Sequence, residues 1–513
     1  MLARTHDLPR SCKVLSHYCL TPLLALLLAA NVSGHANAAS CGENTGVNDC
    51  QDSSESSDPG SAPSPYQPSS LVGNPVNLIT GNKYQSETDF RSSATRLVWS
   101  RHYNSANAQF DFGLGRGWSA TFLALLQTRN NEGASLVQSN GRLVQFKPPV
   151  SYHNEAGETS NRWHAHQPSD GILHSEEEFI VWSLPDGRTL RFKGRLLVQI
   201  DFPGHAFLKL FYSNQRLASV TDELGQQLRF NYYPASQKLS RYTEPTDANS
   251  TELQQGVFGE AAARLKNLTL PNGSTIDYDY DSLGNLTRAR FADGTSRRYH
   301  YENPDLPHHL SGVTNRLGER TATWAYNLEG YATGTERADG IERTELTYHH
   351  PPVIGGIGTT SITNSLGEQS LYTWQRFPDQ GQTLLLSSSG AGCQSCPPVA
   401  MQYTYTDEFQ LASARHDSGR ATRWEYDDYG RTTAVYQVAT DGNKRLLQEM
   451  TYTNEPDASG AEKILIQNKP ASIRYPSINP DAHHEVTFTY NEDGLPTSIT
   501  AVSYTHLTLP TKA

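Results

Sequence analysis

An aromatic-x-Tyr strand followed by a Gly turn returns along most of this chain, and it limits the fold more than any other feature. Ile276 to Leu286 reads Ile-Asp-Tyr-Asp-Tyr-Asp-Ser-Leu-Gly-Asn-Leu, and Trp424 to Arg431 and Phe488 to Pro496 rewrite the same phrase. Weaker copies sit at Phe211-Tyr212, Phe230 to Tyr232, Tyr299 to Tyr301, Trp324 to Tyr326, Leu346 to Tyr348 and Tyr403 to Tyr405, with successive copies 20 to 25 residues apart in the well-kept stretches. A self-similar period of that size marks a repeat architecture, because no single unit can bury its own apolar face and neighbours must stack. In phase with the aromatics run Asp222-x-x-Gly225, Asp293-Gly294, Asn315-x-x-Gly318, Asp339-Gly340, Asn364-x-x-Gly367 and Asp417-Ser418-Gly419. Gly and Asn tolerate the positive φ of tight turns and Asp accepts turn hydrogen bonds, so each repeat is a β-hairpin. The structural turn positions are Gly225, Gly284, Gly318, Gly430 and Gly494, and the repeat aromatics are Tyr278, Tyr280, Tyr301, Trp324, Tyr326, Trp424, Tyr426 and Tyr490. At period two Tyr278 and Tyr280 share one face, and Asp277, Asp279 and Asp281 share the other.

The expected fold is therefore all-β: consecutive antiparallel hairpins forming a curved or spiralling sheet, preceded by a small β module. Only 36% of residues are hydrophobic, yet there are 26 tyrosines, whose rings pack on a sheet while the hydroxyl reaches a polar partner. A net charge of −11 supplies no basic field, so nucleic acid is not an expected partner.

Residues 1–38 read as a signal peptide. Arg4, Arg10 and Lys13 form the positive region, Leu20 to Ala30 is too short to span a bilayer, and Ala36-Asn37-Ala38 is a cleavage pattern. An uncleaved anchor is the alternative. No other stretch approaches membrane-spanning length, which gives a secreted or cell-surface chain. Residues 39–72, with Pro59, Pro63, Pro65 and Pro68 among Ser, Asp and Glu, read as a disordered tether. Cys41 with Cys50 and Cys393 with Cys396 are possible local disulfides in an oxidising compartment. A lone CxxC is half of a four-cysteine zinc site, so metal and redox readings come second.

From Gly73 short aromatic strands alternate with Gly turns: Gly73-Asn74-Pro75-Val76-Asn77-Leu78, Leu97-Val98-Trp99-Ser100-Arg101-His102-Tyr103-Asn104, then Gly113-Leu114-Gly115-Arg116-Gly117-Trp118. The glycines around Arg116 lack the βαβ setting of a nucleotide loop and read as turns. This segment resembles the N-terminal DUF6531-type module of bacterial rearrangement-hotspot (RHS) proteins. The hairpins that follow resemble RHS/YD repeats, with Tyr280-Asp281-x-x-Gly284-Asn285-Leu286 and Tyr426-Asp427-x-x-Gly430-Arg431 nearest the family form. The resemblance covers about residues 73 to 500. It divides the chain into a module at 73–150, a repeat shell at 151–500 and an irregular tail at 501–513 that reads as non-native. It implies a spiralling β-shell around a hollow, in a family whose members often carry a C-terminal toxin behind an Asp-Pro-x-Gly-Leu boundary. No such boundary follows Thr500, so the sequence reads as a truncated frame, and toxin activity and self-cleavage do not carry over.

Candidate chemistry is sparse. Asp277, Asp279 and Asp281 could hold a hard cation or act as an acid/base pair. Folding the hairpin at Ser282 to Asn285 instead faces Asp279 with Arg288 and Asp277 with Arg290, ordinary cross-strand pairs. His308-His309, His349-His350 and His483-His484 point to opposite faces if they lie on strands. His164 and His166 could share a face but show no third ligand. The catalytic signatures Gly-x-Ser-x-Gly, HExxH and Walker A are absent. The sequence-based expectation is a non-enzymatic scaffold without cofactor or metal, the shell portion of an RHS protein that encloses or delivers a C-terminal effector. The alternative is a surface adhesin or carbohydrate-binding repeat protein with glycan partners. Rings turned into the sheet and lumen would mark the shell, and a contiguous outward row would mark the adhesin.

Overall fold

The computed structural model describes residues 70–504 apart from 130–132, 154–158, 167–169, 185, 235–262, 352, 354, 378–381, 391–398, 429, 453–468, 477–482 and 492–495. Gly494, all four cysteines of the candidate disulfides, the signal segment, the tether up to residue 69 and the end of the tail therefore lie outside the described residues. What is described is nearly all β, as the repeats require: a 31-strand antiparallel sheet from Leu125–Arg129 to Pro496–Tyr504, with small separate sheets before it. The long sheet is open rather than a sealed barrel. Its strand Leu125–Arg129 folds back on Leu196–Asp201 through the single pair Leu125–Leu196.

Three strands, Tyr84–Arg91, Val98–Asn104 and Trp118–Ala120, form a sheet of their own. Every residue of Val98–Asn104 is buried, so this strand is covered on both faces and cannot show polar-out alternation. One continuous core joins Val76, Leu78, Trp99, Tyr103 and Trp118 of this module to repeat residues as far as Leu385. A second cluster, Leu411, Trp424, Val435, Met450, Ile473 and Phe488, continues the same inward face. The module touches Gln226 near one end of the contacted repeats and Thr360 near the other. The ten strands from Gln227–Tyr232 to Ile357–Asn364 would span about 43 Å if flat, so the sheet must curve around so small a module. Farther on, Glu408 returns to within 3.4 Å of Lys147, and Lys469 comes under the field of Asp186. The path thus spirals back over its own early hairpins.

The plain alternation expected from sequence is interrupted in a regular way. The register shifts at Phe211/Tyr212, Asn231/Tyr232, Asp279/Tyr280, Ala325/Tyr326, Thr404/Tyr405, Glu425/Tyr426, Thr451/Tyr452 and Thr489/Tyr490. In the central hairpin Asp279 faces Arg288 but Tyr280 faces Leu286, leaving Thr287 as the extra residue. The bulge lets Leu286 and Ala289, three apart, both point inward at 0% exposure.

A bulge also takes backbone groups out of the ladder, and a tyrosine of the next repeat returns to one of them. Tyr232 faces Leu265 across a bulge, and the Leu265 carbonyl accepts the hydroxyl of Tyr280 at 2.8 Å. Likewise Tyr405 faces Leu411, whose carbonyl accepts Tyr426 at 2.8 Å, and Tyr452 faces Pro470, whose carbonyl accepts Tyr490 at 2.8 Å. Tyr212, Tyr232, Tyr326, Tyr348, Tyr405 and Tyr452 make the same bond, to Leu197, Leu217, Leu310, Ala332, Leu385 and Thr432. This supplies a physical reason for the tyrosine period: each ring fills the inward face, and each hydroxyl satisfies a carbonyl beside a bulge or, at Leu310, in the loop before Gly312–Thr314.

Candidate functional surface

The inward face is where the sequence-singled residues meet. Tyr278 is fully buried, Trp324 is 3% and Trp424 is 9% exposed, and Tyr280, Tyr301, Tyr326, Tyr426 and Tyr490 pack against the same two clusters. Burial raises the Tyr278, Tyr280 and Tyr326 hydroxyls well above the ordinary phenol range and takes Tyr490 up to about 12. These groups remain neutral donors at any physiological pH.

The module reads the polar tips of these rings. Trp99 donates its indole N–H to Tyr278 at 2.9 Å, and Tyr278 donates to Asp89 at 2.8 Å. Arg101 grips Asp89 through two bonds of 2.5 and 2.9 Å and donates to Tyr299 at 2.7 Å, with its guanidinium 5.0 Å from the centre of the Trp118 ring. Both side chains of the Arg101–Asp89 pair are 0% exposed. Burial is the largest single influence on Arg101 and would lower its pKa, but the Asp89 carboxylate together with the Tyr299 and Tyr278 hydroxyls holds the guanidinium well above its usual value. Trp118 donates to Tyr301 at 2.9 Å, and Trp324 donates to the Asn74 carbonyl at 2.8 Å. Tyr103 donates to the His308 carbonyl and accepts from the Leu310 N–H, both at 2.9 Å.

Other buried charges belong to the same seam. Burial raises the Glu87 carboxyl, against the opposing pull of Arg297 and Arg101, and Arg297 bonds Glu87 directly. Burial lowers Lys83 well below its ordinary value, with its ammonium 4.1 Å over the Trp324 ring. Burial first and Arg101 second hold His102 down to about 3, and its Nδ1 lies 2.8 Å from the Tyr84 hydroxyl. The strand residues Lys83, Glu87, Asp89 and Arg101 were not singled out by sequence. For Arg101 the one signal was a charge set among Val98, Trp99 and Tyr103, where a half-exposed strand would alternate; Lys83, Glu87 and Asp89 carried none.

The turn glycines Gly225, Gly284, Gly318 and Gly430 have φ of 78°, 87°, 87° and 76°, the left-handed values a hairpin turn demands. The glycines around Arg116 are turns as well, at 87°, 91° and 77° for Gly113, Gly115 and Gly117. Gly115 also meets a repeat turn: a Cβ there would lie 2.7 Å from the Leu286 nitrogen, and the Arg116 N–H donates to the Gly284 carbonyl at 3.2 Å.

The acidic trio does not share one face. Asp281 lies beyond the strand Thr275–Tyr280, where its carboxylate accepts from the Leu283 and Asn285 N–H groups at 2.9 Å and fastens the turn. The register opposes Asp277 to Arg290 and Asp279 to Arg288 as read from sequence, but the ion pairs converge on Asp279: Arg290 at 3.0 Å and Arg288 at 4.0 Å. The reach of an arginine diagonally along the face decides this. His308 and His309 sit in the loop before Gly312–Thr314 rather than on a strand; His308 Nδ1 lies 2.8 Å from Asn285 Oδ1, and His309 packs edge-on against Tyr326 at 4.9 Å. His164 and His166 flank buried Ala165, and among the described residues no group of three or more His, Cys, Asp or Glu could hold a metal ion. A cavity of about 330 Å³ opens at the seam, lined by Asn82, Gln109, His309, Glu329, Tyr331 and Arg376 among others.

The family model for the domain of unknown function DUF6531 matches residues 73–146, and that for the RHS repeat matches residues 264–296. The chain carries a DUF6531 module followed by RHS repeats. The first match ends at the last residue of the strand Leu143–Phe146, so it takes in the separate three-stranded sheet and the opening strands of the long sheet. The second contains the hairpin of Tyr278, Tyr280 and Gly284. No curated protein sequence matches. Among solved structures, the chain is similar to the Photorhabdus luminescens Tc holotoxin pore with the TccC3-D651A mutation, at 11% identity and a TM-score of 0.34, over 82% of this chain and 25% of that one. It is similar to TcdB2-TccC3 without the hypervariable C-terminal region, at 10% identity and a TM-score of 0.31, over 84% and 26%. A porin-like protein from Bacteroides vulgatus aligns at 10% identity and a TM-score of 0.12, over 46% and 91%. The chain spans about a quarter of the length of the first two. Among the described residues no helix is long and apolar enough to cross a membrane.

Proposed function

We propose that this chain is a non-enzymatic scaffold, the shell portion of a secreted or cell-surface RHS protein that encloses or delivers a C-terminal effector. One observation carries the reading: the repeat aromatics line a single inward face, and that face runs on past the repeats that the module covers. Leu411, Trp424, Val435, Met450, Ile473 and Phe488, all at most 9% exposed, continue it with Tyr405, Tyr426, Tyr452 and Tyr490 packed alongside. An adhesin that stacks sugars needs rings aimed outward in a row. The exposed aromatics among the described residues are Phe211 and Tyr233, at 51% and 38%, and they lie on different repeats.

The test is protection of a passenger. A reporter domain joined after residue 513, expressed with the whole chain, should resist a protease that destroys the same domain when free. Digestion at the rate of the free domain would sink the enclosure reading. Retention on an immobilised glycan array, lost with Phe211→Ser, would favour the adhesin instead.

A further inference from the structure

Lys83 is 0% exposed, yet its Nζ bonds no carboxylate: it donates to the Tyr84 carbonyl and, at 3.1 Å, to Gln85 Oε1. The Gln85 amide is held at its other end as well. Its Nε2 donates to Glu87 Oε1 at 3.0 Å, and Arg297 holds the second carboxylate oxygen of Glu87. At period two Lys83, Gln85 and Glu87 follow one another along one face, and the Trp324 ring, 4.1 Å from Nζ, closes the amine off from water. An amine, a carboxamide and a carboxyl in that order, in a dry site, are the parts of an amide exchange. A desolvated lysine amine is neutral and nucleophilic, and burial moves Lys83 down and Glu87 up, the directions that favour a free amine beside a proton-carrying carboxyl. With a C=O bond of about 1.2 Å, Nζ stands about 4 Å from Gln85 Cδ, a small side-chain rotation from attack distance.

We propose that the folded chain joins Lys83 to Gln85 by an isopeptide bond, with Glu87 as the proton carrier. Nζ attacks Cδ and the Nζ–Cδ bond forms. Nζ gives up one proton to the Glu87 carboxylate, which lies against the same amide, and Glu87 returns it to Nε2. The Cδ–Nε2 bond then breaks and the nitrogen leaves as ammonia. Lysine loses one hydrogen, glutamine loses its amide nitrogen with two, Glu87 ends as it began, and no oxidant or co-reactant enters. The event happens once per chain and leaves a neutral amide where a buried amine stood, which removes the desolvation cost that Lys83 imposes on the seam. Residues two apart on one strand gain no topological constraint from the link, so its effect is confined to that buried charge.

Mass spectrometry of the purified full chain and of its tryptic peptides tests this. The peptide that carries Lys83 and Gln85 should be lighter by one ammonia, about 17 Da, and trypsin should spare Lys83, so that Tyr84–Arg91 is not released. Glu87→Gln, which keeps the size of the side chain and removes the proton carrier, should give the full mass and release Tyr84–Arg91 while circular dichroism shows the same β signal. The wild-type measurement stands alone if that variant does not fold. A succinimide at Asn82 would show the same loss, but mild alkali opens it, whereas the isopeptide amide persists. A folded wild type at full mass overturns the inference, as does a loss that alkali reverses. Linkage in Glu87→Gln as complete as in the wild type would also overturn it.

Discussion

Trp99 donates its indole N–H to the hydroxyl of Tyr278, 179 residues later, at 2.9 Å. The bond crosses the seam between module and repeats, and Tyr278 passes the hydrogen bond on to Asp89. Tyr278→Phe should therefore cost about 1–3 kcal/mol, because it strips one partner from each of two buried groups. Tyr280→Phe, which frees one carbonyl, should cost about 1 kcal/mol. Urea unfolding of both variants checks the difference; equal losses would place the two hydroxyls in equivalent roles.

The Arg101–Asp89 pair should behave as buried pairs do. Arg101→Met alone leaves the buried Asp89 carboxylate with only Arg297, at 4.0 Å, as a cation and should destabilise by up to about 3–5 kcal/mol, whereas Arg101→Met with Asp89→Leu should recover much of that. Denaturant midpoints of the two variants decide the matter, and a double variant no better than the single would contradict it.

Acid should loosen the same seam through His102. Its folded-state pKa of about 3 lies below the ordinary 6.5, so the unfolded chain binds the proton more readily. The stability contributed by neutral His102 is complete above about pH 6.5 and is lost as the pH falls toward 3, at up to about 1.4 kcal/mol per unit. His102→Gln should flatten that slope in unfolding curves taken across the window. An unchanged slope would assign the acid sensitivity elsewhere.

Two glycines separate backbone conformation from close approach. Gly225→Ala meets nothing within 4 Å and should cost only the strain of φ 78°, about 1 kcal/mol. Gly115→Ala adds a Cβ 2.7 Å from the Leu286 backbone and should cost distinctly more. Thermal melts of the two variants give the comparison.

The repeat period, the turns and the shared face of Tyr278 and Tyr280 were legible because each depends on residues a few positions apart, whereas the direction of that face was open between shell and adhesin. Asp222, Leu224 and Gly225 announce their turn in four letters. The tyrosine-to-carbonyl bond was not legible, since it joins Tyr280 to Leu265 across a bulge that no local pattern encodes. Nor was the docking of the module, whose contacts reach from Leu78 to Thr360. Asp281 was misplaced because period two was carried one residue past the end of its strand, into a turn where carboxylates serve the backbone.

The most direct test of the enclosing wall compares the two faces of the sheet in solution. With native cysteines replaced, Val435→Cys, inward at 6% exposure, and Phe211→Cys, outward at 51%, would be labelled by a bulky polyethylene-glycol maleimide under native conditions. An inward face that lines a shell predicts labelling of Val435→Cys slower by roughly tenfold or more, the two rates converging only on unfolding. Equal rates on the folded chain would contradict the shell.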